Sequence, residues 1–182
     1  MIRYSKALCS LILLLLPMSA LAVQKQPAPA APVPAQILAA KKIFIANGGW
    51  DEPFYNGTIF TGGPGRAYNE FYAAIKSSGR FELVTSPADA DLIFELEFTV
   101  PKAGPRISAE PTLAEPPYDP TFHLRLRDPK TNALLWTIVQ HSQWAILEGN
   151  RDKNFDLALN QVVVVLQMLM SPSPAPSDAA NE

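Results

Sequence analysis

Two histidines are the residues in this chain whose chemistry would best suit a metal or catalytic site. His123 and His141 lie on the two strands of a predicted β-hairpin, where antiparallel pairing would bring them close together. A zinc ion needs three or four His, Cys or carboxylate ligands, and no third ligand stands at a usual spacing from the pair. We therefore expect two histidines on the surface of a sheet, with no metal or other cofactor.

Two pairs of carboxylates have residue types that could serve as the acid and base of glycoside hydrolysis. Asp51 and Glu52 lie in a glycine-rich segment beside Trp50, whose ring could stack on a sugar. Glu95 and Glu97 lie on a predicted strand close to arginines, which suits salt bridges better than a general acid. Acidic residues in loops are usually solvated. The sugar site at Asp51 and Glu52 is therefore kept as an alternative only.

Nucleophilic catalysis finds little support in the sequence. A serine nucleophile needs a base and an orienting group within hydrogen-bond reach, and the chain has no G-x-S-x-G turn. The glycine-rich segment 62–65 precedes a predicted helix, but the lysine and hydroxyl of a phosphate-binding loop are missing. Arg66, which follows it, would be a weak anion ligand at a helix start. We expect a protein that is not an enzyme.

The first 22 residues have the order of regions found in a secretory signal peptide. Arg3 and Lys6 precede a leucine-rich core at 11–16, and the segment 20–22 (A-L-A) fits a cleavage site. The core is shorter than the ~20 residues that span a bilayer. The single cysteine, Cys9, would leave with this segment. We expect a periplasmic or secreted protein with no transmembrane span after cleavage.

Proline marks both ends of the mature chain. Residues 23–40 alternate Ala with Pro, which is typical of an extended linker, and residues 171–182 are predicted to be a disordered tail. Residues 41–170 are enough for one domain with its own core. The chain has 15 basic and 17 acidic residues without a basic stripe, so nucleic acid is not an expected partner.

Hydrophobic periodicity predicts two helices and about five strands in the domain. The predicted strands are 41–46, 81–84, 92–100, 122–127 and 134–141, and the predicted helices are 66–78 and 152–170, the second capped by Asp152 or Asn154. Single-faced alternation implies two layers. We expect an α/β (α+β) two-layer sandwich, in which a mixed sheet of about five strands carries both helices on one face.

The same alternation predicts the neighbours within the sheet. Glu95 and Glu97 on one strand, and Arg125 and Arg127 on another, should share the face without helices and pair across it. The returning strand 134–141 is apolar on both faces over its first residues. We therefore expect that strand to lie in the centre of the sheet.

Two long connections are the expected contact surface. Segment 47–65 combines glycines with aromatic residues, and segment 101–120 contains six prolines between strands that otherwise look like neighbours. Connections of this length are usually functional or disordered. Aromatic side chains carry much of the binding energy of interfaces, so the predicted anchors are Trp50, Phe54, Tyr55 and Tyr118.

Three segments resemble a pattern found in bacterial envelope proteins. They are F-E-L-V-T at 81–85, P-A-D-A-D-L at 87–92 and the hairpin L-R-L-R-D-P-K-T-N-A-L-L-W at 124–136. The pattern is most similar to that of uncharacterised secreted proteins with one small α/β domain. More distantly, it resembles domains of the curli-secretion lipoprotein, of lipoprotein activators of penicillin-binding proteins and of the TolB amino-terminal type. The resemblance implies a non-enzymatic envelope role through protein contacts, and it supplies no catalytic residue.

Three hypotheses about function follow from these observations. The first is a non-enzymatic interaction module of the cell envelope, which contacts an envelope protein or cell-wall component through loops 47–65 and 101–120. The second is a glycan- or small-ligand-binding protein with weak hydrolytic ability at the aromatic glycine-rich loop. The third is a structural envelope component that self-associates through an open sheet edge.

Overall fold

The computed structural model describes residues 31–51, 59–102 and 118–171. The predicted signal peptide and the tail from residue 172 onward lie outside these described residues. The helices are α1 (Ala35–Ala39), α2 (Arg66–Ser77) and α3 (Glu148–Leu169); the strands are β1 (Lys42–Asp51), β2 (Glu82–Leu83), β3 (Leu92–Thr99), β4 (Thr121–Arg127) and β5 (Leu134–His141); a short 3₁₀ turn spans Pro87–Asp89.

The five strands form one mixed sheet in the order β2-β1-β3-β4-β5. β1 is parallel to both β2 and β3, while β3, β4 and β5 form an antiparallel meander. Helix α2 makes the crossover from β1 to β2, since parallel neighbours require a long connection. The expected α/β fold with a mixed five-stranded sheet is confirmed.

The expected central position of β5 is wrong. β5 pairs only with β4 among the described residues and lies at one edge of the sheet. Two of its apolar side chains, Leu134 and Val139, are 52% and 48% exposed. Its two-sided apolar pattern therefore does not reflect burial within this sheet.

β1 is longer than predicted. The strand continues through Asn47, Gly48 and Gly49 to Asp51, with a bulge in its pairing to β3 between Asn47 and Gly49. A Cβ atom on Gly48 would lie 2.9 Å from the carbonyl oxygen of Leu96. The glycines therefore let the backbones of β1 and β3 stay close through the bulge, rather than marking the start of a loop.

The core lies between the sheet and the helices α2 and α3. The buried stripe of α3 contains Phe155, Ala158, Leu159, Val162 and Leu166, as helical periodicity predicts. A cluster of aromatic rings joins this helix to the sheet, with centroid separations of 4.6–6.3 Å, and it consists of Trp50, Phe60, Phe98, Phe122 and Phe155.

Arg66 connects α2 to α3. Its guanidinium donates to Asp152 at 2.7 Å, to Asp156 at 2.5 Å and to Glu70 at 2.8 Å, and it lies 4.2 Å from the centre of the Phe155 ring. The arginine side chain is only 10% exposed. A buried guanidinium with several carboxylates holds the two helices in one relative position.

The predicted cap of α3 is wrong, because the helix begins at Glu148, about one turn earlier. Asp152 instead accepts hydrogen bonds from the backbone N–H of Thr61 (3.1 Å), the hydroxyl of Thr61 (2.8 Å) and Arg66. Burial alone would raise the pKa of Asp152, but these hydrogen bonds outweigh it and lower the pKa below its usual range.

Helix α1 lies inside the stretch predicted as linker. Ile37 on α1 is fully buried and belongs to the core. Beside it, one carboxylate oxygen of Asp91 accepts the backbone N–H groups of Lys41 (2.9 Å) and Lys42 (2.8 Å). The donations from Lys42 and Lys41 lower the pKa of Asp91. The ordered domain therefore begins before residue 41.

The charged side chains pair across the sheet as predicted. We call the sheet face opposite the core the open face, since none of the three described helices covers it. There Arg125 bonds Glu95 at 3.0 Å and Glu97 at 2.6 Å, and Arg127 bonds Glu95 at 3.0 Å. Glu95 lies directly opposite Arg125 in the register, which confirms the expected pairing.

Each helix in the described residues is too short or too polar to span a bilayer.

Candidate functional site

The two long connections leave the sheet side by side. Asp51, the last residue of β1, pairs with Thr99 near the end of β3, and its carbonyl accepts the N–H of Val100 at 2.7 Å. Parallel strands end at the same edge of a sheet. Residues 52–58 and 103–117, which lie outside the described residues, are therefore both attached at this end.

The second connection has a closed base. Lys102 forms an isolated antiparallel bridge with Tyr118, and the N–H of Asp119 donates to the carbonyl of Pro101 at 2.9 Å. These contacts continue the β3–β4 pairing by three residues beyond the strands, from Thr99 and Thr121 to Lys102 and Tyr118. Lys102 and Tyr118, the described residues on either side of 103–117, are thus held by the sheet.

A third segment, residues 142–147, reaches the same end of the sheet. The N–H of Ser142 donates to the carbonyl of Pro120 at 2.7 Å, and the ring of Trp144 packs on Tyr118 with centroids 4.9 Å apart. Ile146 and Leu147 follow, and they are 88% and 67% exposed. We call this end of the sheet, with Asp51, Lys102, Tyr118, Trp144, Ile146 and Leu147, the loop pole.

Arg151 holds the third segment in place. Its guanidinium donates to the carbonyl of Ile146 at 2.6 Å and to that of Ile59 at 2.9 Å, and it lies 5.3 Å from the centre of the Trp144 ring. The exposure of Ile146 and Leu147 therefore occurs in a segment with fixed backbone contacts. The sequence signal was W-A-I-L between a strand and a helix, an apolar run at a position where loops are usually polar.

The two histidines lie on the open face beside the loop pole. Nδ1 of His141 is 2.9 Å from a carboxylate oxygen of Asp119 and 3.1 Å from the hydroxyl of Thr121. The Thr121 hydroxyl donates to the backbone carbonyl of Asp119 at 3.0 Å. Carboxylate and hydroxyl meet the same ring nitrogen, whereas a catalytic triad needs them on opposite nitrogens. The arrangement positions Asp119 at the base of the long connection.

His123 makes its contact apart from the group around His141. Nε2 of His123 is 3.4 Å from the hydroxyl of Thr99, and burial lowers the pKa of His123. Within the part of the chain that the structure describes, no group of three His, Cys, Asp or Glu residues could hold a metal ion.

The predicted anchor residues occupy different environments. Trp50 is half-buried, and its ring packs on Phe98 with centroids 4.7 Å apart. Tyr118 lies at the loop pole. Phe54 and Tyr55 lie outside the described residues, as does Glu52. That these residues bind a partner stays a prediction.

The anion interpretation of the glycine segment before α2 is not supported by the geometry. The backbone N–H of Arg66 donates to the carbonyl of Gly63 at 3.1 Å, which makes a tight entry to the helix. The guanidinium of Arg66 is occupied by Glu70, Asp152 and Asp156. Three carboxylates around one cation repel a further anion.

No protein-family model and no curated protein matches the chain. Similar solved structures include a hypothetical protein of Chlamydia trachomatis, at 12% identity over 74% of this chain and 100% of that one, with a TM-score of 0.46. A homolog of neuraminyllactose-binding hemagglutinin from Helicobacter pylori has 11% identity, 79% and 90% coverage, and a TM-score of 0.44. A lipoprotein from Neisseria meningitidis has 17% identity, 72% and 99% coverage, and a TM-score of 0.36. None of these is a curli-secretion, penicillin-binding-protein activator or TolB structure, and similarities at this level do not establish a function.

Proposed function

We propose that this chain is a non-enzymatic interaction module of a bacterial cell envelope, exported by its signal sequence and binding an envelope protein through the loop pole. The observation that carries the proposal is the convergence of three connections at one end of the sheet. Binding residues are often placed on loops that a rigid scaffold positions. Here the scaffold is the sheet, which packs on its helices through the aromatic core, while Arg66 joins the two helices to each other.

The chemistry of the loop pole suits a protein partner. Tyr118 and Trp144 supply stacked aromatic rings, and Ile146 and Leu147 supply apolar side chains that are mostly in water. Aromatic and apolar side chains that lose water on binding provide most of the energy of protein interfaces. A partner that covers Ile146 and Leu147 would therefore gain hydrophobic contact at little cost in ordering this segment.

The sugar-binding alternative is weaker than the sequence alone suggests. It uses Trp50 as a stacking platform, yet the Trp50 ring already contacts Phe60, Phe98 and Phe155. Asp51 is exposed at the end of β1, where a solvated carboxylate is the ordinary state. No feature of the described residues favours the alternative specifically.

The test is cross-linked affinity capture from envelope extract with the mature chain from Val23. We expect one protein to be captured by the wild-type chain and lost with Ile146→Ser and Leu147→Ser. The matched control is Leu38→Ser, which changes a leucine that is 47% exposed on α1, and which should retain capture. Equal capture by the control and the pole variants, or no capture by the wild-type chain, would overturn the proposal.

A further inference from the structure

Within the described ranges, the outer hydrogen-bonding edge of β5 has no partner strand. The bond from Ser142 to the carbonyl of Pro120 and the β4–β5 register fix the alternation of the antiparallel ladder. Trp136, Ile138 and Gln140 direct their backbone groups to β4, and Thr137 and Val139 direct theirs outward. Among the described residues no strand pairs with this outward edge.

The two edges of the sheet differ in how they are protected. β2, at one edge, has only two residues, and the charged pair Lys42–Glu82 lies beside it. β5, at the other edge, has eight residues, and none from Leu134 to Gln140 is charged or a proline. Natural proteins usually block exposed edges with charges, prolines or short strands. The β5 edge has no such charge or proline from Leu134 to Gln140, and the strand is not short. It has only a bulge in its pairing with β4, where the strand begins.

The helix next to this edge is apolar on its outer side as well. Leu157, Val164 and Met168 on α3 are 59%, 45% and 59% exposed, and their spacing puts them in one stripe together with Gln161. No residue from 157 to 170 is charged. A hollow of about 270 Å³ separates the stripe from the end of β5, and it is lined by Gln140, His141, Gln143, Asn154, Leu157, Ala158 and Gln161.

We propose that the outward edge of β5 and the side of α3 that lines the hollow beside it, at Leu157 and Gln161, bind a second copy of this chain, related to the first by a two-fold axis. An antiparallel strand pair is its own complement under a two-fold rotation. Because β5 from Leu134 to Gln140 and α3 from Leu157 onward hold no charge, the copy brings no like charges together.

Amide side chains make the same surface self-complementary. Gln140 and Gln161 line the hollow beside the edge, and each amide carries both donors and an acceptor, so it can pair with an identical group. The outward residues allow a register in which Thr137 pairs with Val139 of the second copy and Ile138 lies at the axis. The two sheets then join into one of ten strands, with α3 of each copy packed at the junction.

The first test measures the mass of the mature chain by light scattering over a range of concentrations. We expect the mass to approach twice that of the monomer as concentration rises. Gln161→Glu puts a like charge on both sides of the axis, beside the hollow at β5, and Thr137→Pro removes an outward N–H that β4 does not use. Both variants should shift the chain to monomer while circular dichroism stays unchanged.

The matched control is Leu147→Glu, which puts the same charge at the loop pole and should leave the dimer intact. A wild-type chain that is monomeric at all concentrations would overturn the proposal. So would a dimer that persists in both Gln161→Glu and Thr137→Pro. The loop pole is not part of this surface, so loss of partner capture and loss of the dimer are separate results.

A single cysteine gives a second readout, because the only native cysteine, Cys9, lies in the predicted signal peptide. Gln161→Cys places a thiol beside the hollow at β5, and a short bifunctional thiol reagent should link two copies through it. Glu82→Cys places a thiol at the opposite edge, on β2, and should give no linked dimer. Equal linkage at both positions would indicate random collision and would contradict the two-fold arrangement.

Discussion

At the scale of single residues, Arg66 pairs with more carboxylates than any other cation in the described residues. It is 10% exposed, and it meets Asp152, which is 18% exposed, and Asp156, which is 53% exposed. Removing a buried cation leaves its carboxylate partners uncompensated, and that penalty exceeds the net worth of the pair. The salt bridges matter here mainly because the buried carboxylate of Asp152 depends on them.

We predict that Arg66→Met destabilises the protein by about 2–4 kcal/mol. The value lies below that of a fully buried pair, because water can still solvate Asp156. Urea unfolding followed by circular dichroism measures the change as a lower midpoint.

The control is Lys42→Met, which removes a pair at 3.9 Å between side chains that are 49% and 65% exposed. Exposed pairs contribute about 0–1 kcal/mol, so this variant should unfold close to the wild-type midpoint. A similar loss of unfolding free energy in the two variants would show that the Arg66 ion pairs stabilise the protein no more than an exposed pair does.

At the scale of elements, the contact between β1 and β3 depends on a glycine. A Cβ atom on Gly48 would lie 2.9 Å from the carbonyl oxygen of Leu96 and 3.1 Å from the Cβ atom of Glu97. The nearer neighbour is backbone in the middle strand of the sheet, so it cannot move without disturbing the pairing on both of its sides. Overlap at this point forces the strands apart at the bulge.

We predict that Gly48→Ala destabilises the protein by about 1–3 kcal/mol, the usual cost of forcing extra volume into a packed site. Gly149→Ala is the control, since an added Cβ in the first turn of α3 meets nothing within 4 Å, and it should stabilise by about 0.5 kcal/mol. Thermal unfolding of both variants compares them directly. A neutral Gly48→Ala would mean that the bulge tolerates a side chain.

Periodicity in the sequence is enough for the elements in which one face alone is buried. β3 and β4 alternate cleanly between core and open face, so their positions, their pairing and the Glu95–Arg125 register follow from the sequence. The stripe of α3 follows in the same way. In each case the local pattern and the tertiary environment impose the same period.

The sequence predicts the wrong position for elements whose residue pattern is compatible with two different structures. Glycines at 48 and 49 are typical of a loop, yet here they allow a close strand pair. The apolar faces of β5 predict a central strand, and within one copy the strand lies at the edge. In the two-fold dimer that we propose, β5 becomes a central strand, which would account for its sequence pattern.

The loop pole is also only partly visible in the sequence. The lengths of the two long connections mark them as candidates, and Tyr118 is identified by its type. Trp144, Ile146 and Leu147 are missed, because they belong to a short segment between a strand and a helix. Their grouping with Tyr118 depends on the β4–β5 pairing, which brings residues distant in sequence to one end of the sheet.

At the scale of the whole molecule, the two ends of the sheet differ in the contacts that their residues make. At one end, α1 and Asp91 fasten the start of β1 to the start of β3. At the other end, β1 finishes at Asp51, β3 finishes at Thr99 and β4 begins at Thr121, and the long connections are attached there. The core that holds the fold lies between them, so the loop pole can vary without loss of the fold.

This separation leads to a prediction about the longest connection. Replacing residues 103–117 with a four-residue turn keeps Lys102 and Tyr118, whose bridge already closes the base of the connection. Closing a shorter loop costs less chain entropy, so we expect the variant to be more stable by about 1 kcal/mol. Denaturant unfolding measures the difference in the free energy of unfolding. The dependence of that free energy on denaturant concentration shows whether the variant is as compact as the wild type.

The same variant separates stability from binding. If residues 103–117 contribute to the loop pole, the shortened chain should unfold at a higher denaturant concentration and yet capture less of the envelope partner. A shortened chain that is less stable than the wild type would show instead that the connection packs against the domain and supports it. Its loss of binding could then reflect damage to Tyr118 and Trp144, so the result must be compared with Leu147→Ser, in which the connection is intact.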